Sequence, residues 1–208
     1  SPAIFAEEVE RIGLTHWHCV GRAERIADAG DFFLRTIAGE PLIIVRDRHG
    51  QPRAHFNVCR HRGTRLCEKE SGHLSETIQC PYHAWTYTTD GRLIGAPHMQ
   101  DVEGFNKADH GLHQAAVAEW EGFLFVSLDP EPTPFVEAFA PVLTRFSRFG
   151  LGALAAGRRV SYDIASNWKL IFQNYSECLH CPTIHPELSC KLPYQSGAND
   201  LIEGPFLG

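Results

Sequence analysis

Two short runs of metal-ligating side chains lie close together in the chain. The first is Cys59-Arg-His61, and eighteen residues later comes Cys80-Pro-Tyr-His83. Two Cys-His pairs at this spacing can hold a [2Fe-2S] cluster, with two thiolates on one iron and two imidazoles on the other. Replacing two thiolates by neutral histidines raises the potential well above that of an all-cysteine cluster. The same donors can bind structural zinc. Zinc modules, however, usually pair Cys with Cys and His with His at short spacings, and Cys-x-His followed by Cys-x2-His is unusual for them.

A second group of candidate ligands follows about 95 residues later. Asn167-Trp-Lys-Leu-Ile-Phe-Gln-Asn-Tyr-Ser-Glu-Cys-Leu-His180 has the pattern of a helix with Asn167 as N-cap, stopped by Cys181-Pro182. His185-Pro186 comes next. His180 and His185 are five apart, which does not place them on one face of an uninterrupted helix. A proline break between them lets both turn toward a common point. Two histidines and a carboxylate on one face of an iron leave the opposite face open for O₂ beside substrate.

The flanks extend both motifs. Asn57-Val-Cys-Arg-His-Arg-Gly63, Gln79-Cys-Pro-Tyr-His-Ala-Trp-Thr-Tyr87 and Asp90-Gly91 surround the first. Around the second the string is Asn-Trp-Lys-x4-Asn-Tyr-x-Glu-Cys-x-His-Cys-Pro-x-x-His-Pro-Glu. Together they resemble the α subunits of Rieske-type non-haem iron oxygenases. Only Cys67 lies between the ligand pairs, and Ala84-Trp85 follows the second histidine. That favours the oxygenase type over the high-potential respiratory type, which carries an extra cysteine in each ligand loop.

The resemblance implies an antiparallel β domain holding the Rieske cluster on Cys59, His61, Cys80 and His83. The opening part of an α+β helix-grip catalytic domain is expected after it, with His180 and His185 as ligands of a mononuclear Fe(II). Glu177, three residues before His180, takes the bridging role: a carboxylate linking His83 or His61 of one subunit to His180 of its neighbour. Asn174, one turn earlier, is expected near the iron. The third iron ligand of the family is a carboxylate far downstream. Glu187, Asp200 and Glu203 do not match its position, so the natural protein is expected to continue beyond Gly208.

Electrons are expected from NAD(P)H through a separate reductase, with or without a ferredoxin, to a homotrimer acting on O₂ and a small-molecule substrate. Ring-dihydroxylating members usually carry Asp at the bridging position. Members acting on quaternary ammonium compounds tend to have Glu in a Glu-Cys-x-His-Cys string, as here at 177–181. The expected reaction is therefore oxidative N-demethylation. Alternatives are ring dihydroxylation of an aromatic acid, a stand-alone Rieske electron carrier and a zinc-stabilised module. The His180/His185 motif argues against the carrier.

Composition narrows the rest. The net charge is −6 over 208 residues, with no long basic run, so nucleic acid is an unexpected partner. No apolar run approaches a membrane span, and no signal peptide is expected at the start. Seven cysteines form an odd set that fits a reducing cytoplasm with metal-bound and free thiols. The chain starts at Ser1 and has one methionine, Met99, and both ends are expected to be trimmed or incomplete.

These motifs need elements to carry them. A helix is expected over 3–12, ending at Gly13. Strands are expected at 17–20, 31–37, 41–46, 53–57, 86–88 and 123–128. His49-Gly50 and Asp90-Gly91 mark hairpin turns needing positive φ. Residues 135–149 have amphipathic helical periodicity ended by Gly150, and 157–165 alternate like a strand. Asp129-Pro-Glu-Pro-Thr-Pro134 is the linker, giving domains 1–128 and 129–208. Trp85, beside His83, is placed to shield the cluster, and Cys67 is expected to be a buried thiol. His16, His18, His49 and His55 are expected on the surface or in loops.

Overall fold

The computed structural model describes residues 1–196. They form two compact units, Ser1–Ala156 and the residues from Gly157 onward. The first opens with helix α1 (Pro2–Glu8), capped by the Ser1 side chain and continued by a wider turn to Gly13. Ten strands come next: β1 (Trp17–Arg22), β2 (Asp31–Ile37), β3 (Glu40–Arg46), β4 (Pro52–Phe56), β5 (Ser71–His73), β6 (Thr77–Gln79), β7 (Thr86–Thr88), β8 (Leu93–Gly95), β9 (Gln114–Trp120) and β10 (Phe123–Ser127). Every pairing is antiparallel. Seven strands make one sheet in the order β1-β10-β9-β4-β3-β2-β5, and β6-β7-β8 make a second. The expected antiparallel β class holds. The short exposed strand β5 was not anticipated, nor were β6 and β9.

Side-chain alternation along β2 and β3 divides the interior into two cores. Phe32, Ile43 and Val45 join Leu66, Ile78, Trp85, Tyr87, Leu93 and Leu112 in the core that supports the ligand loops. Phe33, Leu42 and Ile44 join Val20, Ile26, Ala54, Leu124 and Val126 in the other. Strand β3 is thus apolar over four consecutive buried residues, because both of its faces are covered.

Two tight turns join strands of this unit at glycines. The β7–β8 turn closes with Gly91 N–H donating to the Thr88 carbonyl at 2.9 Å, and Gly91 has φ +93°. A Cβ there would meet His55 Cε1 at 2.7 Å, so the position needs glycine twice over. His55 corrects the expectation of a surface histidine. It is fully buried on β4, with Nε2 2.9 Å from the Thr89 carbonyl, and burial holds its pKa below the ordinary range. In the β3–β4 turn only Gly50, not His49, has positive φ.

The proline-rich segment is not where the compact units divide. Helices α2 (Phe135–Ala138) and α3 (Ala140–Leu143) fold back onto the first unit, with Pro141 in the first turn of α3, where a single helix was expected. Trp17 Nε1 donates to the Thr133 carbonyl at 2.9 Å, and Phe135 packs on Phe125 with ring centroids 4.7 Å apart. Arg22 donates to the Leu151 carbonyl at 3.1 Å and to that of Leu154, and lies over the Phe123 ring. These contacts carry the first unit on to Ala156. Residues 157–165 form no strand, having no hydrogen-bonding partner strand among the described residues.

Asp47 ties the turn before β4. Its buried carboxylate accepts from His49 N–H (2.8 Å), Gln51 N–H (2.9 Å) and Arg53 Nε (2.8 Å). Burial alone would raise its pKa, but these donors outweigh it and hold the group below the usual carboxylate range. The stabilisation is therefore present above the unfolded-state pKa and is lost as pH falls through the lower folded value. Asp47→Asn is expected to cost about 1–3 kcal/mol near neutral pH. In urea titrations its gap from the parent should narrow in acid below pH ~4.

Candidate metal centres

The two ligand loops are built alike. Cys59 N–H donates to the Thr64 carbonyl at 2.8 Å, and the Cys59 carbonyl accepts from Gly63 N–H at 3.0 Å. Cys80 N–H donates to the Trp85 carbonyl at 2.8 Å, and its carbonyl accepts from Ala84 N–H at 3.1 Å. Gly63 (φ +72°) and Ala84 (φ +56°) occupy the same left-handed corner in each loop. Each loop thus turns its cysteine inward and carries a histidine at its tip. Asn57, which is buried, fixes the first loop from within. Its Nδ2 donates to the Cys67 carbonyl at 2.7 Å, and its Oδ1 accepts from Leu66 and Cys67 N–H at 3.0 and 2.9 Å.

Of the four expected cluster ligands, the two cysteines pair with each other and the two histidines pair with each other. Cys59 and Cys80 are both 3% exposed, and their thiols lie within hydrogen-bonding reach of each other. Burial pushes the Cys59 thiol up; the Tyr87 hydroxyl, 3.2 Å from Sγ, and the His61 N–H pull the other way. The His61 and His83 rings are 4.8 Å apart at 65°. Burial, and then the neighbouring His83, hold the His61 pKa down, and its Nδ1 is buried with no hydrogen-bond partner. A buried unpaired imidazole nitrogen is costly unless an acid or a metal takes it.

Thiols beside thiols and imidazoles beside imidazoles fit a cluster with two sulfur and two nitrogen ligands. Among the described residues no three Cys, His, Asp or Glu side chains converge on one ion-sized point.

Trp85 stacks on His61, not on the adjacent His83, with centroids 4.7 Å apart at 7°. Tyr82 stacks on His83 instead. Tyr87 also accepts from Arg60 N–H at 3.1 Å, so one phenol touches both Cys59 and its neighbour in the first loop. Asn57 and Tyr87 flank the ligands in the sequence, but no role was expected of either. Their types were a usable signal: a buried amide and a buried phenol each seek partners. Cys67 is a buried free thiol as expected, its pKa raised to about 11 by burial.

In the second unit, Asn167 caps α4 (Trp168–Ser176) through Lys169 N–H at 3.0 Å, as the sequence predicts. The helix ends at Ser176, earlier than expected, and Glu177 is extended. Helix α5 (Cys181–Ile184) then begins with Pro182 in its first turn, so the proline opens a helix where it was expected to close one. Helix α6 (Pro186–Lys191) comes directly after His185.

The Glu177 carboxylate folds over the gap. It accepts from His180 N–H at 3.3 Å and from Leu179 N–H, and its other oxygen lies 2.9 Å from His180 Nδ1. Those contacts, the His180 side chain foremost, hold its pKa below the usual range. His180 and His185 face each other with centroids 5.6 Å apart at 75°. Asn174 is exposed on α4 and makes no hydrogen bond to either histidine among the described residues. Glu187 sits in the first turn of α6; Asp200 and Glu203 lie outside the described residues. Cys178 and Cys181 are joined in a disulfide, so the expectation of free thiols outside the cluster holds only for Cys19, Cys67 and Cys190.

Comparison with known proteins places both halves. The family model of the Rieske [2Fe-2S] domain matches residues 16–106. That of the ring-hydroxylating α subunit, catalytic domain, matches residues 151–201 of the same chain. The chain belongs to the Rieske-type non-haem iron oxygenase α subunits.

Among the relatives of this oxygenase chain is the glycine betaine monooxygenase oxygenase subunit of Chromohalobacter salexigens. It is 39% identical over 189 residues, covering 90% of this chain and 42% of the relative. The carnitine monooxygenase oxygenase subunit of Acinetobacter baumannii is 36% identical over 189 residues, covering 89% and 50%. The crystal structure of the quaternary ammonium Rieske monooxygenase CntA with L-carnitine superposes with a TM-score of 0.84 at 33% identity. It covers 96% of this chain and 56% of that one. The chain spans about half the length of the curated relatives it matches. No helix among the described residues is long and apolar enough to cross a membrane.

Asn57→Ala would leave the Leu66 and Cys67 N–H groups and the Cys67 carbonyl without their buried partner. The expected cost is roughly 2–4 kcal/mol by denaturant unfolding. Faster loss of iron and acid-labile sulfide than from the parent should accompany it, because the loop carrying Cys59 and His61 loosens.

Proposed function

We propose that this chain is part of a terminal oxygenase. It takes up electrons at a Rieske cluster and delivers them to a mononuclear iron that hydroxylates a small organic substrate with O₂. Cys59, Cys80, His61 and His83 hold the cluster; the sorted thiol and imidazole pairs and the unpaired Nδ1 of His61 support that set. His180 and His185 are the two protein nitrogens of the iron site, and a carboxylate outside the described residues completes it. When bound, this iron supplies the O₂ chemistry.

The observation that carries the reading is the Glu177–His180 pair. A carboxylate 2.9 Å from Nδ1 fixes the imidazole tautomer and leaves Nε2 for a metal. One Glu177 oxygen is occupied by backbone N–H groups while the other reaches His180. The residue therefore holds the turn and touches a candidate ligand at once. In an assembly of identical subunits, with a homotrimer the proposed form, this carboxylate meets a cluster histidine of the neighbouring subunit. The natural electron source is NAD(P)H through a reductase.

The substrate class we infer is a quaternary ammonium compound. Its support is the Glu177-Cys178-Leu179-His180-Cys181 string and the likeness to the betaine and carnitine monooxygenase subunits. Hydroxylation of an N-methyl group gives an N-hydroxymethyl product, which breaks down to formaldehyde and the demethylated amine.

The natural protein, supplied with a competent reductase and NADH, is expected to release formaldehyde from a betaine or from carnitine. Formation of a diol from an aromatic acid without formaldehyde would overturn the substrate class. Glu177→Ala should keep iron and labile sulfide at parental levels yet lower turnover by at least about a hundredfold, ~3 kcal/mol in the barrier. Parental turnover by a metal-replete variant would remove Glu177 from the electron path.

A further inference from the structure

Trp85 occupies a position that neither its neighbours in sequence nor the ligand set explains. Its main chain belongs to the second ligand loop, where the carbonyl closes the turn on Cys80 N–H at 2.8 Å. Its side chain belongs to the first, lying flat on His61 at 4.7 Å and 7°. Phe105 and His110 pack edge-on behind the indole at 5.7 and 5.8 Å, and the residue is 2% exposed. The indole is thus held between a rigid turn and two aromatic rings, and it presents one face to a candidate cluster ligand.

We propose that Trp85 is a positioning residue that lowers the reduction potential of the cluster by covering and stacking on His61. The inference rests on the reading that Cys59, Cys80, His61 and His83 hold a [2Fe-2S] cluster. Two thiolates and two neutral imidazoles leave the oxidised cluster neutral, and one added electron leaves it negative. An apolar cover withholds water from the negative form and so disfavours it. The negative face of the indole favours an imidazole whose electrons are drawn toward iron, which is more so when the cluster is oxidised. Both effects favour the oxidised state, so removing the indole raises the potential. A tryptophan that merely filled the core would change stability or cluster retention and leave the potential where it was.

The test is the cluster midpoint potential of the natural protein, measured by spectroelectrochemistry in the parent, Trp85→Ala, Trp85→Leu and Trp85→Phe. Iron and acid-labile sulfide per chain are determined on each. Trp85→Ala should raise the potential by at least about threefold in the redox equilibrium, ~30 mV for one electron. Trp85→Leu, which keeps an apolar cover without the aromatic face and guards against loss of the smaller variant, should show a smaller rise. Trp85→Phe should lie nearest the parent. Cluster-replete Ala and Leu variants at the parental potential would overturn the assignment, as would a Phe variant shifted as far as Ala. A parent protein without iron and labile sulfide would instead overturn the cluster reading itself.

Discussion

The paired closure of the two ligand loops is the constraint on which the first unit depends. Each cysteine spends its own N–H and carbonyl on the same loop, five and four residues ahead respectively. That leaves the thiol as the only group free to point inward. The tips then have no choice but to project their histidines side by side. Such closure needs a left-handed residue at the corner, and Gly63 supplies it without strain while Ala84 accepts it. Asn57 and Tyr87 anchor the first loop from beneath, and the sheet anchors Asn57 through its N–H to the Pro41 carbonyl at 2.8 Å. Rigidity thus passes from strand to asparagine to loop to candidate ligand.

The second unit solves a related problem with fewer contacts. A helix cannot present two histidines five apart to one point, and here it does not try. It stops at Ser176, and Glu177 bridges the break with its carboxylate, replacing the helical hydrogen bonds that Leu179 and His180 lack. Pro182 and Pro186 restart the chain in two short helices, each beginning beside a histidine. The side chain that orients His180 is therefore also the one that shapes the backbone there.

Much of this was legible in the residues. The candidate ligand pairs, the Asn167 cap, the Asp90-Gly91 turn and most strands derive from side-chain chemistry and period-two patterning, which act locally. What was not legible depends on distant partners. Short β5 and β6 have no apolar stripe and exist because β2 and β7 offer them edges. His55 looked like a loop residue because nothing adjacent in sequence predicts the Thr89 carbonyl that receives it. Trp85 was expected to shield the cluster from its place beside His83, but its stacking on His61 was not foreseen, because it depends on how the two loops meet. Residues 157–165 have the alternation of a strand, but among the described residues no strand lies beside them to pair with.

The return of residues 135–156 onto the first sheet bears on how such a protein can be dissected. Three prolines in six residues invite a cut at position 129, yet the chain beyond them covers Phe125 with Phe135 and Phe139 and feeds two carbonyls to Arg22. An excised first unit ending at the prolines would bare an aromatic patch and strand a guanidinium that packs on Phe123. One ending at Ala156 would keep its own lid. The natural seam of the molecule lies after the aromatic staple, where composition gives no sign of it.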